Sequence, residues 1–195
     1  MKEKKIMNNI IKIIALNILV FFSFNTFSEN SNTFIIETNK GNITIEVYPD
    51  KAPITVKNFK NYVNNKFYDG LIFHRIISNF MIQGGGFDKN MMQKTTNDPI
   101  KIESNNGLKN NAYTLSMART NTPNSATSQF FINLIDNTFL NYSGPSSQKI
   151  GYCVFGSVIK GRDIVDKIGN LQTHTKNGFG DVPIKTVVIK SIKQR

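Results

Sequence analysis

The chain has 195 residues, with 24 Lys and Arg against 13 Asp and Glu and a formal net charge of +11. The basic residues are scattered instead of forming a run, which argues against a nucleic-acid stripe and reads as a solvated surface. Cys153 is the only cysteine, so an intramolecular disulfide is excluded, and its flanks Tyr152 and Val154 make it a small buried residue.

Residues 1–28 read as a secretory signal peptide and not as part of a domain. Lys2, Lys4, Lys5 and Lys12 precede a run over 13–24 that is apolar except for Asn17 and Ser23. That run is too short for a membrane span of about 20 residues. Thr26 and Ser28 supply a small-x-small site, which predicts cleavage after Ser28 and a mature domain over 29–195; an uncleaved leader would instead anchor the protein in the inner membrane. Removing it takes away four Lys and one Glu, leaving 20 basic and 12 acidic residues and a charge of +8 (20 − 12) on 167 residues (195 − 28). A chain of that length with no repeat or Pro-rich linker makes one domain with its own core.

In chain order, residues 33–37 and 42–47 alternate or run apolar around Asn39-Lys40-Gly41, which predicts an opening hairpin. A helix follows from Pro53, tolerated in a first turn, with Val56, Phe59, Tyr62 and Val63 on one face and Asn64 and Asn65 at its end. Residues 73–77 read as a strand and 80–83 as a second, broken at Ser78-Asn79 and ended by Gly84-Gly85-Gly86. Strand character returns at 113–118, 129–134, 152–159 and 184–192. A short helix is expected over 161–168, with Ile164, Val165 and Ile168 facing the core. Seven or eight strands with two helices predict an antiparallel sheet that closes on itself, not a βαβ fold.

Two stretches carry more than packing requires. In FHRIISNFMIQGGGF, residues 73–87, one arginine sits inside an apolar strand; period two sets Arg75 opposite His74 and Ile76 and places Met81 and Gln83 on a common face. An arginine in a strand is most often solvent-facing or paired, and the context is what changes that. In LSMARTNTPNSATSQFFIN, residues 115–133, alternation sends Phe130 and Ile132 inward and leaves Gln129 and Phe131 on the other face, where a binding pocket would explain the phenylalanine. Gly84-Gly85-Gly86 lacks the features of a P-loop or a dinucleotide fingerprint and reads as a tight strand exit. His74 and His174 lie far apart with no ligand spacing, so neither metal nor cofactor is expected, and His74 reads as a structural residue.

These stretches closely resemble the active-site segments of the cyclophilins, the peptidyl-prolyl cis/trans isomerases, and the form ART…SATSQFFIN is most similar to their periplasmic bacterial branch. The resemblance runs from Phe34 to about Lys193. It implies a mainly β fold, a closed eight-stranded antiparallel barrel capped by two α-helices, and periplasmic localisation. It also implies a site of Arg75, Phe80 and Gln83 as catalytic residues, with Met81, Ala118, Arg119, Gln129, Phe131, Phe139, Leu140 and Tyr152 binding substrate. Arg119, Phe139 and Tyr152 stand where Asn, Trp and His are usual in the eukaryotic pattern, which implies weakened cyclosporin binding. The implied partners are proline-containing polypeptides of exported proteins; the chain shows no heptad or extended apolar surface run and no basic run, so a monomer that does not bind nucleic acid is expected. A non-catalytic proline-peptide-binding chaperone is the competing reading of the same groove, and the presence of Arg75 argues against it.

Overall fold

In a computed structural model, residues 32–195 are described; the expected leader over 1–28 lies outside them. The elements are β1 (Thr33–Thr38), β2 (Gly41–Val47), α1 (Pro53–Asn64), β3 (Ile72–Ile77), β4 (Met81–Gly84), β5 (Thr114–Met117) and β6 (Phe130–Asn133). A single 3₁₀ turn (Thr138–Leu140) follows, then β7 (Val154–Lys160), α2 (Arg162–Gly169), β8 (Thr173–Lys176), β9 (Phe179–Pro183) and β10 (Val187–Gln194). Eight strands close into a barrel in the order β1-β10-β3-β4-β6-β5-β7-β2 with antiparallel neighbours. Closure removes the unpaired edges that an open sheet would expose.

The barrel is filled by its own side chains. Phe34, Ile36, Ile43, Ile45, Phe73, Ile82, Phe130, Ile132 and Phe155 are fully buried, as the interior of an eight-stranded barrel requires. The helix α1 seats its apolar face on this core, and Phe59 meets Phe34 and Phe130 edge-on at centroid distances of 5.5 and 6.0 Å. Pro53 stands in its first turn, and Glu103, from a distant loop, accepts hydrogen bonds from the backbone N–H groups of Ile54 and Thr55 at 3.0 and 2.8 Å. A remote carboxylate thus supplies the acceptor that the N-cap position, Ala52, has no side chain to offer. The helix α2 buries Val165 and Ile168, with Ile164 packed at its margin.

Three departures from the sequence expectations bear on the site. Phe80 does not belong to the second strand of the central pair. A tight turn with Asn79 in the left-handed region (φ 56°) and a hydrogen bond from Phe80 N–H to Ile77 C=O at 3.1 Å holds it out of the ladder. The final strand begins at Val187 instead of 184, because Ile184 is exposed and its N–H bonds Gln172 outside the barrel. A two-stranded hairpin, β8–β9, stands apart from the barrel sheet and was not expected; three of the four β8 residues are exposed, and no apolar alternation marks it.

Candidate active site

The site grows out of the outer face of the barrel wall formed by β3, β4, β6 and β5. Register puts Arg75 opposite Gln83, Gln83 opposite Phe131, and Phe131 opposite Ser116, one row of direct neighbours running across four strands. Met81 stands two residues from Gln83 and therefore on the same face. A depression of about 200 Å³ opens over this row, lined by Arg75, Phe80, Met81, Gln83, Ala118, Arg119, Phe131, Leu140 and Tyr152. Nine of the eleven residues expected at the site share it. The remaining two sit next to it: Gln129 accepts a hydrogen bond from Gln83 Nε2 at 2.9 Å, and Phe139, 74% exposed, stacks on Phe80 at 5.6 Å.

One wall of the pocket is apolar. Met81, Phe131 and Leu140 are buried together, with Ile77, Phe80, Ala118 and Tyr152 packed around them, and the Phe131 ring meets Tyr152 edge-on at 5.6 Å. The glycine run makes the close approach of the strands possible. At Gly85 (φ 83°) a side chain would run into the rings of Tyr68 and Phe130, and at Gly86 a Cβ would fall 2.5 Å from Gln129 Cγ. The three glycines thus give the strand exit its shape and also make room for the Gln129 side chain that holds Gln83.

Several polar groups that could face a ligand are already committed. Ala118 N–H donates to Gln129 C=O at 2.9 Å. Arg119 donates from Nε to Gly151 C=O and from Nη1 to Thr120 C=O, both at 2.9 Å, and reaches Ser147 C=O at 3.5 Å. Its guanidinium also lies 4.7 Å over the Tyr152 ring. Arg119 therefore lines the pocket with its stem while its charged end ties down residues 141–151. Arg75 is different: its single ion pair among the described residues runs from Nε to Asp181 Oδ2 at 3.4 Å.

A support layer not foreseen from the sequence lies beneath the pocket. Asn137 Nδ2 donates to Phe80 C=O and to Asn133 Oδ1 at 2.9 and 2.8 Å, while Asn110 Nδ2 donates to Leu140 C=O at 3.0 Å and its Oδ1 accepts from Ser116 at 2.7 Å. All four side chains are buried. Buried amide donors need acceptors to be tolerated, and here the Nδ2 groups of Asn137 and Asn110 find them in the carbonyls of two residues in the pocket wall, while Asn137 Oδ1 has no hydrogen-bond partner among the described residues. The sequence signal was Asn133 and Asn137, two amides four residues apart next to an apolar strand, which look like ordinary loop residues without the fold.

His74, next to Arg75 at the register shift in β3, is buried against Phe87 at 4.7 Å, and burial, with the Arg75 charge adding to it, pushes its imidazole down to about 4. It is neutral at pH 7 and faces away from the pocket. Burial likewise pushes the Cys153 thiol up to about 11, so it is not a nucleophile at neutral pH.

Residues 33–194 match the family model described as cyclophilin type peptidyl-prolyl cis-trans isomerase/CLD. Peptidyl-prolyl cis-trans isomerase B of Escherichia coli is 56% identical over 155 residues, 80% of this chain and 94% of that protein. Peptidyl-prolyl cis-trans isomerase A of Dickeya dadantii is 45% identical over 191 residues, 98% of this chain and 97% of the other. Among solved structures, a cyclophilin type peptidyl-prolyl cis-trans isomerase of Cryptosporidium parvum, crystallised in the presence of the dipeptide Ala-Pro, is similar with a TM-score of 0.69 and 27% identity over 84% of this chain and 98% of that one.

Proposed function

The chain belongs to the cyclophilin-type peptidyl-prolyl cis-trans isomerases, and from that membership we propose that it turns X-Pro bonds in exported proteins and assists their folding, with Arg75 as the decisive donor. The observation that carries the reading is a half-exposed guanidinium beside a buried apolar wall of Met81, Phe131 and Leu140. An X-Pro bond turns slowly because amide resonance opposes rotation with a barrier of roughly 18–20 kcal/mol. In the twisted transition state the prolyl nitrogen recovers its lone pair and becomes an acceptor. A donation from Arg75 is then far stronger than in the planar ground state, which is what raises a rate instead of merely tightening binding.

Met81, Phe131 and Leu140, with Phe80 beside them, hold the proline ring. Gln83, oriented by Gln129, holds the carbonyl side of the rotating amide. A rate gain of about 10⁵ needs roughly 7 kcal/mol, and one charge-assisted hydrogen bond contributes about 1.5–3 kcal/mol, so exclusion of water and anchoring by the apolar wall supply the rest. The Ala-Pro dipeptide named for the Cryptosporidium relative supports a proline-sized pocket. The exported setting is supported by the charged start and short apolar run over 1–28, a segment into which the similarity to the Dickeya protein extends. Cyclosporin fits the same groove with weakened affinity, because Phe139 offers an aromatic wall but no N–H donor.

A protease-coupled assay with a prolyl tetrapeptide tests the mechanism: wild type is fast and Arg75→Ala is slow at an unchanged circular dichroism spectrum. Equal rates would remove Arg75 from the mechanism. Intact-mass measurement of the protein recovered from the periplasmic fraction of its host tests the setting. A chain beginning near Glu29 is expected, and one that keeps Met1 would assign the leader to a membrane anchor.

A further inference from the structure

Arg75 has one charged partner among the described residues, and it comes from the hairpin that the sequence did not announce. We propose that Asp181 is a positioning residue for the isomerisation, holding the Arg75 guanidinium through Nε so that the two Nη groups remain for the prolyl nitrogen. The inference rests on the reading of Arg75 as the transition-state donor and adds the group that aims it.

Three observations carry it. The contact runs from Nε, at 3.4 Å to Asp181 Oδ2, and no other hydrogen bond of the Arg75 side chain occurs among the described residues. The other polar side chains of the pocket are held by neighbours: Gln83 by Gln129, and Arg119 by the carbonyls of Thr120, Ser147 and Gly151. Asp181 fills that role for Arg75, whose side chain is 44% exposed and would otherwise retain the rotamer freedom of a long flexible chain.

The second observation is how the carboxylate is aimed. In the β8–β9 pairing His174 faces Val182 and Lys176 faces Phe179, so Gly180 and Asp181 stand against one residue of β8 in a bulge. Asp181 adopts φ 60° there, a left-handed conformation that Asp tolerates better than most residues. Bulges re-aim side chains out of the regular alternation, and this one directs Asp181 at β3.

The third is that the hairpin is braced. Val182, next in sequence, is buried against Ile72 of β3 and Met91, and Phe179 meets Phe87 edge-on at 5.2 Å. Lys176 Nζ donates to Lys89 C=O at 2.9 Å and Asn177 Nδ2 to Asn90 C=O at 3.4 Å. The acceptor is therefore presented from a fixed scaffold, as pre-organisation of a donor requires. Both partners are more than two-fifths exposed, and pairs of that exposure are weak, which bounds the effect at about two- to fivefold in kcat.

The experiment is a double-mutant cycle in the prolyl-peptide assay with wild type, Asp181→Asn, Arg75→Ala and the double variant, together with the ¹⁵N–¹H signal of Arg75 Nε. Asparagine keeps the size and the left-handed backbone of Asp181 while removing the charge. Asp181→Asn is expected to lower kcat about two- to fivefold with KM unchanged, to shift the Arg75 Nε–H signal, and to have no effect once Arg75 is alanine. A wild-type kcat in Asp181→Asn, or an equal loss in both backgrounds, overturns the proposal while leaving Arg75 in place. A wild-type rate in Arg75→Ala overturns the donor reading itself, and this proposal with it.

Discussion

Phe130 and Phe131 follow one another in β6 and are both nearly inaccessible to solvent, yet they belong to different structures. Phe130 packs in the barrel core with Phe59, Tyr68 and Phe73, whereas Phe131 sits with Met81 and Leu140 under the pocket and meets Tyr152. In β3 the neighbours His74 and Arg75 divide by exposure, His74 being buried against Phe87 and Arg75 half-exposed at the pocket. For the two phenylalanines burial alone does not tell core from site, because both rings are covered; what differs is the company each residue keeps. Strand alternation lets one short segment serve stability on one face and chemistry on the other with little interference between them.

The largest effect is expected inside the barrel. Phe130→Ala should cost about 3–5 kcal/mol of stability through the cavity it leaves, seen as a lower urea midpoint, while the folded fraction keeps its isomerase activity to within about threefold. A variant that is stable but inactive would show that the two faces are not separable. On the outer face, Arg75→Ala should leave the urea midpoint within about 0.5 kcal/mol of wild type and lower kcat/KM by one to three decades, a loss of about 2–4 kcal/mol in the transition state. Arg75→Lys should also be impaired, since a point charge does not reproduce the planar fork.

His74 sharpens the contrast through pH. Its folded imidazole titrates near 4 against 6.5 for an unperturbed one, so between those values the unfolded chain binds the additional proton. The stabilisation is complete above about pH 6.5 and is lost as pH falls towards 4, by roughly 3 kcal/mol in all. Urea titrations at pH 7 and 4.5 should show this loss in wild type and a smaller one in His74→Gln; equal losses would place the acid sensitivity elsewhere. The smallest effect is expected at the exposed margin, where Phe139→Trp should tighten cyclosporin inhibition about tenfold, a gain of about 1.4 kcal/mol, with little change in catalytic efficiency. Equal inhibition constants would move the control of sensitivity to Arg119, Tyr152 or residues 141–150.

Much of this was legible along the chain because its determinants are local. The hairpin of β1 and β2, the apolar face of α1, the start of α2 at Gly161 and the opposite facing of Phe130 and Phe131 all follow from periods of 2 and 3.6 residues and from turn residues within a few positions. The pocket row of Arg75, Gln83 and Phe131 followed partly from alternation and partly from resemblance, since alternation assigns a face but says nothing of which strands will be neighbours. The departure of Phe80 from β4 turned on one left-handed residue, Asn79, which tolerates both an extended and a turn conformation until the ladder decides.

The remaining features depend on residues far apart in the chain. The β8–β9 hairpin has two apolar anchors, Val182 on Ile72 and Met91 and Phe179 on Phe87, and its partners lie far away in the chain, so no local pattern could mark it. Arg119 lines the pocket as expected of a site residue, and only the fold shows that the carbonyls of residues 147 and 151 hold its guanidinium. Asn110, Asn133 and Asn137 read as polar loop positions until the fold buried them beneath Phe80 and Leu140. Asp181 and Arg75 are 106 residues apart, and a contact at that separation is specified by barrel closure and by a bulge in another sheet. Which faces are apolar and where the chain turns are short-range preferences and can be read along the chain; the partners of its polar side chains come from the closed barrel, because a hydrogen bond or ion pair is made only after burial has set its distance and angle.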